Sequence, residues 1–164
     1  LLCAIGGYFY FLQGRAPADV AAQLSSIIDA HAGPAGANRV VLAGYSFGAN
    51  ALPPAWDAMP PERQQAIDGV ILIAPNRRAR EIIDLPALLG MGRGPNDLVP
   101  LLERMPKDRL ACIYPEDEVD WSGCTLDAIE GARIVQLPGG HTFDGDADAV
   151  ADEVQAVLAA LQTG

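Results

Sequence analysis

Five short apolar runs, separated by helical patterns, constrain the fold of this chain more than any other feature. They occupy residues 1–5, 39–43, 69–74, 109–114 and 133–137. Each is nearly all apolar and is bounded by Gly, Pro or charge. Continuous apolar runs, unlike alternating ones, suit strands buried on both faces. The first intervening segment follows Pro17 and places Val20, Leu24, Ile27 and Ile28 at helical spacing before Gly33-Pro34 stops it. The last follows Asp144 and Asp146, either of which can cap a helix running to about Gln162, with Val150, Val154, Val157, Leu158 and Leu161 on its apolar face. Strand, loop, helix and strand repeated in this way predict an α/β fold. Its sheet is mostly parallel, has about five strands and carries helices on both faces. The length of 164 residues fits one domain, 1–164. Residues 76–108 are rich in Pro and Gly and read as short helices joined by loops.

The second run leads into Gly44-Tyr45-Ser46-Phe47-Gly48, a G-x-S-x-G pattern placed after a buried strand and before a helix. A serine there stands on a sharp strand-to-helix turn. The residues two before and two after it pass close to neighbouring backbone and must be small. The turn lifts the hydroxyl clear of the sheet and aims the next helix's N–H groups at it. The Phe47 N–H is then a candidate oxyanion donor.

A serine hydroxyl is a weak nucleophile and needs a base. The chain has two histidines. His31 sits near the end of the first helix, where a solvated side chain is the simplest reading. His141 follows the last strand in Pro138-Gly139-Gly140-His141. The loop between the final strand and the final helix is where an α/β-hydrolase places its base. Chain order in that fold is serine, acid, histidine. The fourth run leads into Pro115-Glu116-Asp117-Glu118-Val119-Asp120. Asp117 or Glu118 is the candidate acid that orients the imidazole, with Asp120 third. The serine, the acid and the histidine all lie just past the C-terminal ends of parallel strands, where ligands bind in open α/β sheets.

The net charge is −10, with no basic stripe, which argues against a nucleic-acid partner. Asp144, Asp146, Asp148, Asp152 and Glu153 crowd one stretch, read as favourable charge at a helix N-terminus. No apolar run is long enough to span a membrane. No metal cluster or phosphate loop points to a cofactor. Of the three cysteines, Cys112 and Cys124 flank the acidic loop and Cys3 stands in the first strand. Their spacing fits reduced thiols and a Cys112–Cys124 disulfide equally well.

Two ungapped segments resemble a known family. Residues 44–53, Gly-Tyr-Ser-Phe-Gly-Ala-Asn-Ala-Leu-Pro, look like the serine motif of the bacterial virulence protein VirJ and its AcvB relatives. Residues 137–146, Leu-Pro-Gly-Gly-His-Thr-Phe-Asp-Gly-Asp, are similar to the family's histidine motif. Tyr10-Phe11 with Arg15 and Pro17, and Cys112-Ile113-Tyr114 with Asp117, Glu118, Asp120 and Cys124, match more loosely. The family pattern would put Gly where Pro115 stands, often an acid where Asn50 stands, and Asp and Ser near Gly6-Gly7. Residues 76–108 match it poorly.

The resemblance implies an α/β-hydrolase fold, a triad of Ser46, an acid and His141, a periplasmic setting and therefore a Cys112–Cys124 disulfide. It implies an ester substrate, with an aminoacyl ester of phosphatidylglycerol as the family's suggestion. It also links relatives to type IV secretion. A non-catalytic periplasmic adaptor or chaperone on a hydrolase scaffold is the rival reading. A full α/β-hydrolase draws a second oxyanion N–H from a loop that precedes the first strand seen here. The expectation is therefore an N-terminally truncated domain, lacking a strand between the first two runs.

Overall fold

A computed structural model describes residues 2–4, 16–31, 39–79 and 96–160. In chain order the elements are β1 (Leu2–Ala4), α1 (Pro17–His31), β2 (Val41–Tyr45), α2 (Phe47–Ala58), α3 (Pro61–Gln65) and β3 (Gly69–Ile73). They continue with β4 (Arg78–Ala79), β5 (Asn96–Asp97), α4 (Val99–Arg104), β6 (Leu110–Pro115), β7 (Arg133–Leu137) and α5 (Ala147–Ala160). The expected features at residues 1 and 5–15, Gly33-Pro34, residues 80–95, Leu161 and Gln162 lie outside the described residues.

Five strands form one sheet in the order β1-β2-β3-β6-β7, and every pairing is parallel. The tiny β4 and β5 pair antiparallel, apart from it. Alternation along each strand splits the core in two. Leu42, Val70, Leu72, Leu110 and Cys112 face one side, where Val20, Leu24 and Ile28 of α1 and Leu52 and Trp56 of α2 cover them. Val41, Ile71, Ile73, Ala111 and Ile113 face the other, where Val150, Val154, Val157 and Leu158 of α5 pack. Helices on both faces explain why the central strands are continuously apolar.

As expected of a sheet that lacks the usual intervening strand, the first two runs are neighbours: Leu2, Cys3 and Ala4 pair directly with Val41, Leu42 and Ala43. The pairing covers the first three residues of β2. Three other expectations need correction. Ile27, assigned to the buried face of α1, is exposed, and Ala21 is buried in its place. The second strand also runs later than residues 39–43. Asp68 fixes its entrance, accepting the Val40 N–H through its side chain at 2.7 Å and donating its own N–H to the Val40 carbonyl at 2.8 Å. Pairing then extends through Gly44↔Leu72 to Tyr45↔Ile73. Gly44 and Tyr45 are thus strand residues, and the turn begins at Ser46. β7 departs from the buried pattern as well, because it closes the sheet: Arg133, Ile134 and Gln136 are exposed.

Of the two candidate caps for the last helix, Asp146 takes the part, its carboxylate accepting the Ala149 N–H at 2.9 Å. Asp144 instead accepts the Gly140 N–H at 3.2 Å.

Candidate active site

Ser46 occupies φ 54°, ψ −114° between β2 and α2. That conformation is strained for a residue with a Cβ. Two backbone bonds hold it there. The Ser46 N–H donates to the Ile73 carbonyl at 2.7 Å, and the Ser46 carbonyl accepts the Asn50 N–H at 3.1 Å as α2 begins. The fold also explains the first motif glycine. A Cβ on Gly44 would lie 2.5 Å from the Gly48 oxygen and 2.7 Å from the Ala49 nitrogen. Only a missing side chain lets α2 start so close to β2.

His141 reaches Ser46 from the loop after β7. Its Nε2 is 2.7 Å from Ser46 Oγ. Its Nδ1 is 2.8 Å from Glu118 Oε1. A carboxylate only accepts, so Nδ1 carries the proton, and Nε2 is left to accept from the serine hydroxyl. Phe143 anchors this loop by burying its ring beneath the sheet. The loop is tight. Phe143 and Asp144 both have positive φ, and a Cβ on Gly139 (φ 92°) would strike the Asp144 carboxylate at 2.6 Å.

The acidic segment turns sharply after β6. Glu118 closes the helical turn Glu116–Glu118, and its side chain is 12% exposed. Among the described residues its Oε2 is buried without a hydrogen-bond partner. Asp117 and Asp120 are exposed. Asp117 contributes its backbone, donating its N–H to the Gly139 carbonyl at 3.2 Å. His31 is exposed at the end of α1. Phe47 is the first residue of α2, directly after the serine.

Beyond Glu118 the chain is fastened to the loop after β3. The Gly123 N–H donates to the Pro75 carbonyl at 2.7 Å, and the Arg77 N–H to the Trp121 carbonyl at 2.9 Å. Arg77 Nη2 reaches Thr125 Oγ1 at 3.1 Å. Cys112 of β6 and Cys124 form a disulfide with a Cα–Cα distance of 5.5 Å. The loop after β3 is in turn tied to the elbow helix, because the buried Asn50 accepts the Asn76 N–H at 2.9 Å. Sequence reasoning treated Asn50 only as a departure from a family pattern. It gave no hint of Asn76 or Arg77, whose roles arise only where separate loops meet.

No group of three or more His, Cys, Asp or Glu side chains among the described residues is arranged to hold a metal. Among them, no helix is long and apolar enough to cross a membrane.

The model of the bacterial virulence protein (VirJ) family matches residues 3–163. The chain belongs to the VirJ family. No curated protein matches its sequence significantly. Several solved structures share its fold. BpoC from Mycobacterium tuberculosis H37Rv superposes with a TM-score of 0.63 at 14% identity, over 95% of this chain and 78% of that one. A thermophilic esterase gives 0.60 at 11%, over 92% and 75%. A lipase-esterase related protein from Clostridium acetobutylicum ATCC 824 gives 0.57 at 16%, over 94% and 80%. The VirJ-family chain therefore has the α/β-hydrolase fold, as the apolar runs and the elbow motif predicted.

Proposed function

We propose that this VirJ-family chain is a serine hydrolase acting on a carboxylic ester. The observation that carries the reading is the unbroken relay from Ser46 Oγ through both His141 nitrogens to Glu118, at 2.7 and 2.8 Å. Ser46 Oγ attacks the acyl carbonyl while His141 Nε2 takes its proton. Glu118 holds the ring's tautomer and balances the imidazolium that forms. The Phe47 N–H, in the first turn of α2, is the proposed donor to the developing oxyanion. Collapse of the tetrahedral intermediate sends the His141 proton to the leaving alcohol and leaves an acyl-Ser46. Water, deprotonated by the same imidazole, then releases the acid.

The disulfide supports an oxidising compartment, and with the family resemblance it favours the periplasm. An aminoacyl ester of phosphatidylglycerol is the substrate that the resemblance favours.

A fluorophosphonate probe tests the chemistry. The wild type should label at one site. Ser46→Ala should abolish labelling, and His141→Ala should slow it by about 10³-fold or more. Vesicles carrying aminoacyl-phosphatidylglycerol then test the substrate, with release of the free amino acid as the readout. A folded wild type that does not label would favour the adaptor reading, with secretion-system proteins as partners.

A further inference from the structure

His141 hangs from β7, three places along the sheet from the strand that carries Ser46. At the usual strand spacing that is roughly 14 Å. The loop must therefore cross the ends of β6 and β3 and stop with its imidazole at hydrogen-bonding distance from one oxygen. The Asp144 carboxylate bonds to Gly140 and the Asp117 N–H to Gly139, which ties the loop to itself and to the acidic segment. Neither contact measures its distance from β2.

Tyr45 does. Its hydroxyl donates to the His141 carbonyl at 2.7 Å, and its ring centroid lies 5.7 Å from that of the imidazole. Tyr45 is the last residue of β2 and Ser46 is the next. The backbone of His141 and its Nε2 are thus both referenced to one pair of consecutive residues. Tyr45 is 46% exposed, so it is not there to fill the core. We propose that Tyr45 is a positioning residue whose hydroxyl sets the His141 backbone against Ser46.

Partial burial, and then the nearby Glu118 charge, raise the Tyr45 pKa above its ordinary value. The hydroxyl therefore keeps the proton it donates. Among the described residues, the other charged or hydrogen-bonding groups around His141 are Ser46 and Glu118 on the ring and Asp117 and Asp144 beside the preceding glycines. None of them replaces a donor to the His141 carbonyl.

The inference rests on the proposed hydrolase, so the experiment reads position and activity separately. Tyr45→Phe and Tyr45→Ala are compared with the wild type by thermal unfolding and by hydrolysis of p-nitrophenyl acetate, with kcat and KM resolved. The third readout is solvent exchange of the His141 Nδ1–H proton by NMR, assigned through its loss in His141→Gln. Tyr45→Phe should unfold as the wild type does and keep its KM. Its kcat should fall, and its Nδ1–H exchange rise, by about two- to tenfold, the worth of one neutral hydrogen bond. Tyr45→Phe that matches the wild type in both overturns the proposal. A loss in Tyr45→Ala with none in Tyr45→Phe assigns the effect to the ring and overturns it as well. Faster exchange in Tyr45→Phe, in a protein whose wild type neither hydrolyses nor labels, would end the hydrolase reading and leave the positioning role standing.

Discussion

The two sides of the candidate site are built by opposite means. The nucleophile side is local. Gly44, Ser46 and Gly48 lie within five residues, and one forbidden Cβ position and one strained φ fix where the hydroxyl stands. The acid side is assembled from a distance. Glu118 is held where it is because residues 121–125 are pinned to Pro75, Arg77 and Cys112. A local turn is specified by residue types in sequence. A pinned loop is specified by partners far along the chain, and any residue in it can be the one that faces inward.

This contrast can be broken experimentally. The largest effect is expected at Glu118. Glu118→Gln should lower kcat by about 10²–10⁴-fold, because the neutral amide no longer balances the imidazolium. Asp117→Asn should stay within about twofold, since an exposed charge is well screened. Steady-state hydrolysis of one chromogenic ester compares them, and equal losses would erase the distinction between the two neighbouring acids. Next comes the crosslink. Replacing Cys112 and Cys124 together by Ser should cost about 3 kcal/mol in denaturant unfolding, as expected for closing a loop of this size. It should slow turnover through Glu118 while leaving the turn at Ser46 intact. A smaller effect on stability than that of the disulfide is expected from Gly44→Ala, about 1–3 kcal/mol as α2 is pushed off β2. That change should nonetheless disturb fluorophosphonate labelling directly, because it moves the serine itself. If the disulfide variant labelled no faster than Gly44→Ala, the two sides would not be separable.

The same contrast explains what could be read in advance. The apolar runs were legible because burial on both faces leaves no polar positions in β3 and few in β2 and β6. The serine was legible because strain and close approach leave few residue types for Gly44 and Ser46. The acidic segment could be located but not resolved. Asp117 and Glu118 have the same charge and adjacent positions, and the turn after β6 decides which one points at His141. The exposure of β7 was missed, because a strand's place at the edge of a sheet is a contact between segments and leaves no mark within either one. Tyr45 sat inside the motif all along, but its bond partner is 96 residues away.

One further consequence follows from where the disulfide lies. Cys112 is fully buried on the α1–α2 side of the sheet, and Cys124 is 4% exposed. Thiol–disulfide exchange needs an attacking sulfur to reach its target. A chain that packed its sheet before meeting an oxidant would seal two thiols away from it. A finished molecule, equally, yields its crosslink to a reductant only when the segment between Glu118 and Cys124 swings open. The rate at which the native protein loses that bond is therefore a clock for how often the acid side of the site comes apart.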